Sequence, residues 1–213
     1  MLHVNLQQGR AAADSHPRLI VLVGSLFFLS GFAALLYQIA WQRELFGWYG
    51  VDLDSVSAIV SVFMLGLGVG AMAGGWLADR FAQRRILIFS LIELTMGVFG
   101  FFSLDIVDGV GALLGADSLP RLVVLTFLVF VLPTCAMGAT LPVLVTEFVD
   151  ITGNVGFSTG TLYFINTLGA AAGALTGGLV LLSLYGLDGV VAIAAVLNLS
   201  VSAAAYVAMS KPS

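Results

Sequence analysis

The stretch GLGVGAMAGGWLADRFAQRR, from Gly66 to Arg85, joins a glycine-rich apolar run to a short, strongly charged segment. Charge is scarce elsewhere: 9% of the 213 residues are charged and 60% are hydrophobic, whereas soluble domains carry about 25% charged residues. Such a chain cannot cover a water-facing surface, so its composition predicts an integral membrane protein. The net charge of −4 argues against nucleic acid as a partner and leaves the lipid bilayer as the expected surroundings.

The apolar runs are long enough to predict six transmembrane helices in one membrane domain, residues 19–210. A helix needs about 20 apolar residues to cross the hydrocarbon core. The third run contains one acid, Glu93, and the fifth is expected to begin as a loop and to become helical near Ser158. The six runs are 19–42, 56–78, 86–104, 122–146, 155–187 and 189–210.

Basic residues in short loops set the orientation of a membrane protein. If the N-terminal tail (1–18) and the C-terminal residues 211–213 are cytoplasmic, six basic residues lie inside and only Arg43 and Arg121 lie outside. We therefore predict both termini on the cytoplasmic side of a plasma or inner membrane. Residues 105–118 are expected to lie flat at the outer interface. The outer segments are acidic and contain Asp52, Asp54, Asp105, Asp108, Asp117 and Asp188.

Two glycine patterns, 103 positions apart, indicate an internal repeat. Each has glycine at every fourth residue over two intervals, which gives a helix a smooth face for close packing. The second and fifth runs would cross the membrane in opposite directions, so their likeness predicts two inverted three-helix repeats, as in many secondary transporters. Coincidence in a glycine-rich chain is the alternative. The predicted packing glycines are Gly66, Gly70 and Gly74 in one run, and Gly169, Gly173 and Gly177 in the other.

The charged segment carries a family resemblance. GGWLADRFAQRRIL resembles the loop between the second and third helices of the major facilitator superfamily, whose signature is G-x-L-A-D-R-x-G-R-R. Gln83 replaces a usual arginine. The resemblance implies an all-α fold, half of a facilitator, with a gating loop whose aspartate meets a helix start in the opposite bundle. The implied gating residues are Gly75, Asp79, Arg80 and Arg84.

Four further stretches resemble the membrane part of spermidine-synthase-like membrane proteins: FFLSGFAALLYQIAWQRELF, FMLGLGVGAMAGGWLADR, LPTCAMGATLP and LYFINTLGAAAGALTGG. Two functions follow from this resemblance. One is a homodimeric, half-size transporter for a small solute, such as a polyamine or another amine or cation. The other is a non-transporting scaffold for a partner, such as a separately encoded spermidine-synthase-like enzyme or a larger membrane complex.

Enzymatic activity is not expected, because the sequence contains no metal-ligand set, nucleophile triad or cofactor loop. We accordingly predict no catalytic residues, no metal and no cofactor.

Polar residues inside the apolar runs are the candidates for binding the solute. Tyr37, Trp41 and Glu44 share one helix face and could hold an amine by cation–π contact and charge. The alternative is an interfacial aromatic belt, because Trp41, Trp48 and Tyr49 lie near the predicted outer boundary. Glu93 lies about 12 Å into its helix and would either relay protons or hold helices together. Asn166 would line the cavity or serve packing. The predicted substrate-binding residues are Tyr37, Gln38, Trp41, Glu44, Glu93 and Asn166.

Overall fold

The computed structural model describes residues 17–50, 53–114 and 119–209, and these contain six α-helices and two short helical turns. The first helix begins at Pro17, inside the predicted N-terminal tail; residues 1–16 of that tail and the predicted C-terminus lie outside the described residues. The elements are α1 (Pro17–Tyr49), α2 (Leu53–Arg80), a 3₁₀ turn (Ala82–Arg84), α3 (Arg85–Leu114), α4 (Leu119–Thr152), α5 (Val155–Thr176), a π-helical turn (Gly177–Leu181) and α6 (Leu182–Met209).

Two expected loop segments are helical instead. Helix α3 continues from Arg85 to Leu114, so the described part of 105–118 is the end of a long helix and not a flat interfacial segment. Helix α5 begins at Val155 rather than near Ser158, because the Asn154 side chain accepts a hydrogen bond from the Phe157 N–H at 2.9 Å. Asparagine is a favoured residue at this capping position, and the apolar pattern of the run does not reveal it.

Five helical stretches are long and apolar enough to cross a membrane, and the last of them, Val155–Ala208, has 54 residues. A straight α-helix of that length would extend about 81 Å, against a hydrocarbon core of about 30 Å. The stretch is not straight: the π-helical turn interrupts it, and Gly186 has a left-handed backbone (φ 67°, ψ −171°). This break falls one residue before the end of the predicted fifth run.

Contacts between helices show their relative directions. Ser30 and Trp41 of α1 meet Glu93 and Ser103 of α3, so these two helices are parallel. Helix α3 is antiparallel to α4. The start of α3 meets the end of α4, where Arg85 pairs with Asp150. Farther along α3, Phe99 packs on the same Trp41 ring as Phe130, which lies early in α4. Helix α3 is also antiparallel to α6, with Ser90 bonded to Ser202 and Gly97 against Leu199.

The two glycine faces each pack against a different helix. The α2 glycines lie on α4, where a Cβ at Gly70 would overlap the backbone of Cys135. The two α5 glycines, together with Gly177 at the start of the π-helical turn, lie on α1. A Cβ at Gly173 would overlap the backbone of Phe32 there. Both pairs are parallel. The remaining contacts are Gly66 with Thr134, Gly74 with Ala139, Gly169 with Phe28 and Gly177 with Leu36.

Candidate functional site

Tyr37 and Trp41 form the centre of an aromatic cluster that is closed to solvent and to lipid. Their rings stack at 5.0 Å, and both side chains are fully buried. The Trp41 indole N–H donates to Ser103 Oγ at 2.8 Å, and the Tyr37 hydroxyl donates to the Met96 carbonyl at 3.2 Å. A tryptophan that is completely enclosed does not belong to an interfacial belt, so that interpretation is wrong for Trp41. The other rings on Trp41 are Phe63, Phe99 and Phe130.

Glu44 lies on the same side of α1, facing α3, but its neighbours are acids rather than the aromatic pair. It lies beside Asp108 of α3 and close to Asp188 of α6. The Trp48 indole N–H donates to Asp108 Oδ1 at 3.0 Å. The structure therefore brings Tyr37 and Trp41 together and places Glu44 in a separate acidic group at the far end of α1.

A cavity of about 170 Å³ lies between the helices, and we call it the polar cavity because six polar residues line it together with eight apolar or glycine residues. Three of the six predicted substrate-binding residues line it: Gln38 of α1, Glu93 of α3 and Asn166 of α5. Tyr37, Trp41 and Glu44 are not among its lining residues. Gln38 and Asn166 are half-buried, whereas Glu93 is only 1% exposed. The other polar lining residues are Ser30, Thr140 and Asn198.

Glu93 is held at the back of this cavity by one hydrogen bond. The Ser30 hydroxyl donates to Oε1 at 2.5 Å, which confirms that Glu93 is buried beside a polar partner. Its second oxygen, Oε2, has no hydrogen-bond partner among the described residues, and neither has Oδ1 of Asn198, which is 4% exposed. A buried polar atom without a partner is costly. Two residues that line the cavity therefore each have one buried oxygen without a hydrogen-bond partner among the described residues.

The sequence did not single out Ser30 or Asn198, because a serine or asparagine in an apolar helix is common in tightly packed membrane bundles. Their spacing from Glu93 along the chain is 63 and 105 residues, so only tertiary packing brings them to it. The one available signal was that an intramembrane carboxyl needs polar neighbours.

The predicted gating loop is a helix end followed by a 3₁₀ turn. Helix α2 ends at Arg80, whose guanidinium lies 5.7 Å from the ring centre of Phe81. Asp79, Arg80 and Arg84 are exposed. Among the described residues Asp79 makes no hydrogen bond or ion pair. A side chain at Gly75 would meet no atom within 4 Å.

Arg85 anchors the loop to α4. From the sequence, this residue entered only the count of basic residues that predicts the membrane orientation. Its side chain is 10% exposed and forms an ion pair with Asp150, and its Nε donates to the Ala78 carbonyl at 3.0 Å. It also borders a larger cavity of about 470 Å³, with Glu147 and Asp150 as the acids in its lining. The bonds of Arg85 tie the start of α3 to the ends of α2 and α4.

Comparison with known proteins gives a family and two relatives. Residues 19–213 match the model of the Major Facilitator Superfamily. The chain is 33% identical over 133 residues to a 3-(3-hydroxy-phenyl)propionate transporter of Escherichia coli (strain K12), covering 55% of this chain and 31% of the relative. It is 34% identical over 100 residues to a triacylglyceride transporter of Mycobacteroides abscessus, covering 44% of this chain and 19% of the relative. The chain thus matches less than a third of either relative. No solved structure gives a significant match. The narrower likeness to spermidine-synthase-like membrane proteins stays a prediction.

Proposed function

The chain belongs to the Major Facilitator Superfamily, and on that premise we propose that it transports a small solute across a cell membrane by alternating access. The observation that carries the proposal is the polar cavity lined by Gln38, Glu93 and Asn166 inside a membrane domain of this family. Both relatives are named as transporters. In transporters of this kind two helical units rock about a site near the middle of the bilayer.

The proposed topology has six crossings with both ends cytoplasmic. The break at Gly186 supports it by dividing the 54-residue stretch, which is too long for one crossing. Helix directions support it as well: α1, α3 and α5 are parallel to one another, and α4 and α6 are antiparallel to α3. Six consecutive crossings require this alternation.

Two inverted three-helix repeats, α1–α3 and α4–α6, are the proposed internal symmetry. The pairs of helices with the most extensive contacts are α1–α5, α1–α6, α2–α4, α3–α4 and α3–α6. Exchanging the two halves turns the α2–α4 pair into α5–α1 and the α1–α6 pair into α4–α3, and leaves α3–α6 unchanged. The packing scheme is therefore what a repeat predicts, and the two glycine faces occupy equivalent places in it.

A small organic cation, such as a polyamine, is the proposed solute. Among the described residues, those that line the polar cavity include one carboxylate and no lysine, arginine or histidine. A solute with a carboxylate, such as the one in the Escherichia coli relative's name, would find no basic side chain there. Near the C-terminal end of α1, Glu44, Asp108 and Asp188 form an acidic group that would attract cations from solution.

A second bundle is needed to complete the solute site, because about 170 Å³ is smaller than the ~300–1,000 Å³ of typical small-molecule pockets. We take that bundle to be a second copy of this chain, related by a two-fold axis along the membrane normal. The exposed Asp79 would then lie at the start of α5 of the partner, where the helix dipole attracts a carboxylate. Thr159 and Gly160 are exposed there, whereas Ser158 is buried.

Uptake into proteoliposomes tests the proposal. Wild-type protein should accumulate a labelled polyamine or small quaternary amine. Glu93→Gln should reduce that uptake strongly, because it removes the only charged side chain among the described residues that line the cavity. Glu147→Gln is the matched control, since Glu147 lies outside this cavity. Uptake of an aryl carboxylate instead of the amine would refute the cation assignment. Absence of uptake across a broad panel would favour the scaffold interpretation.

A further inference from the structure

We propose that the larger cavity, which Arg85 borders and which we call the Arg85 cavity, binds an amphipathic amine: a small molecule with an apolar body and one ammonium head. Its volume of about 470 Å³ lies within the ~300–1,000 Å³ of typical small-molecule pockets. Such pockets have mainly apolar walls and a few convergent polar groups. A polyamine has no apolar body, so the solute proposed above would not occupy this cavity, and the site does not depend on transport.

The walls of the Arg85 cavity accommodate the apolar body. Ten of its fourteen lining residues are apolar, and they come from α1, α3, α4, α6 and the turn after α2. The walls extend inward from the charged residues: Phe89 lies one helical turn beyond Arg85 in α3, and Leu144 lies two turns before Ile151 in α4. These steps correspond to a depth of about 6–10 Å. That depth suits an aromatic ring on a short chain.

Charge selects a cationic head. Among the described residues that line the cavity there are one base, Arg85, and two acids, Glu147 and Asp150, so the net charge of the lining is −1. Arg85 is already compensated, because it pairs with Asp150 and its Nε donates to the Ala78 carbonyl at 3.0 Å. An anionic head would add a second uncompensated negative charge, whereas one ammonium group makes the site neutral.

Glu147 is the acid that lacks a partner. Arg85 pairs with Asp150, although the Asp150 side chain is 67% exposed. Glu147 lies close to both and is half-buried, yet it makes no hydrogen bond or ion pair with any residue that the structure describes. A half-buried carboxylate needs a partner more than an exposed one does, because it has lost more of its water. An ammonium head donates up to three hydrogen bonds and would supply that partner.

Binding is measured on the full chain in phosphatidylcholine nanodiscs, with labelled phenylbutylamine as the probe and empty nanodiscs as the background. Two competitors keep the apolar body and change the head: phenylbutanol is uncharged and phenylbutyrate is anionic. Wild-type protein should bind the amine saturably and about tenfold more tightly than the alcohol, because only the amine forms a charged hydrogen bond with Glu147. The carboxylate should bind more weakly than the alcohol.

Two variants separate the head of the site from its walls. Glu147→Gln should lower the affinity for the amine about tenfold, to that of the alcohol, and leave the alcohol unchanged. Glu44→Gln, at the far end of α1 and outside this lining, is the matched control. Ala208→Leu should weaken the amine and the alcohol alike, because the larger side chain occupies the cavity. Ala203→Leu, which is exposed on the same helix and outside the lining, should weaken neither.

The proposal is overturned if the three probes bind alike, because the cavity would then recognise only apolar bulk. It is also overturned if Glu147→Gln keeps the preference for the amine over the alcohol. Amine binding that disappears when phosphatidylethanolamine replaces phosphatidylcholine would overturn it too, because an aminophospholipid would then be the occupant.

Discussion

Replacing Gly70 by alanine tests the packing of α2 on α4, because a matched glycine lies two residues away. A Cβ at Gly70 would overlap the carbonyl and Cα of Cys135, whereas a Cβ at Gly68 meets no atom within 4 Å. Both glycines lie inside α2, so both substitutions gain the same helix propensity, about 1 kcal/mol. The difference between the two variants therefore isolates the clash.

The magnitude follows from what the new methyl group meets. Overpacking costs about 1–3 kcal/mol, and the upper end applies here because the obstructing atoms are backbone and cannot rotate away. The two helices would have to separate, which would also loosen the contacts at Gly66 and Gly74. We expect Gly68→Ala to be neutral or stabilising by up to about 1 kcal/mol. Gly70→Ala should be less stable than Gly68→Ala by about 3 kcal/mol.

Reversible unfolding in mixed detergent micelles gives these free energies. A second pair repeats the test on α5: Gly173→Ala meets the backbone of Phe32, whereas Gly160→Ala meets no atom within 4 Å. If Gly70→Ala unfolds like Gly68→Ala, and Gly173→Ala like Gly160→Ala, the glycine faces do not form these helix contacts and the reasoning fails.

The buried indole and the proposed dimer give two further predictions. Trp41→Phe removes the hydrogen bond to Ser103 and opens space in the core, so it should lower the free energy of unfolding by about 1–3 kcal/mol. Trp48→Phe, whose hydrogen bond to Asp108 is exposed, should lower it by less than about 1 kcal/mol. Equal losses in the two variants would contradict the burial of Trp41. Asp79→Cys combined with Thr159→Cys, in a Cys135→Ser background, should give a disulfide-linked dimer on a non-reducing gel, and neither single cysteine should do so. A chain that stays monomeric in membranes, or that crosslinks only within itself, would refute the proposed arrangement.

Several features followed from the sequence because they depend on local patterns. Apolar runs of the length that crosses a bilayer predicted where the helices lie, and a glycine at every fourth residue predicted two smooth faces. The charged segment after Gly75 predicted a loop between two helices, and the structure has a 3₁₀ turn there. Glu93 had to be buried beside a polar group, because exposure of a carboxyl group to lipid is expensive.

Other features depended on which helices meet, and no local pattern contains that information. The sequence could not show that the α2 glycines would lie on α4 and the α5 glycines on α1, since any close neighbour satisfies a smooth face. For the same reason Trp41 and Glu44 were expected to act together, whereas packing enclosed the indole against Ser103 and placed the carboxylate beside Asp108.

The sequence by itself determined an integral membrane protein, because composition and run length respond to the bilayer as a solvent. The facilitator type was implied separately, by the resemblance that GGWLADRFAQRRIL carries. Tertiary structure alone decided the chemistry of the cavity. Ser30, Glu93 and Asn198 are far apart along the chain and unremarkable in spacing, and they meet because α1, α3 and α6 pack together. A site made by side chains from different helices exists only after the helices have packed together. Which helices pack against each other depends on the whole bundle and not on any one segment of sequence.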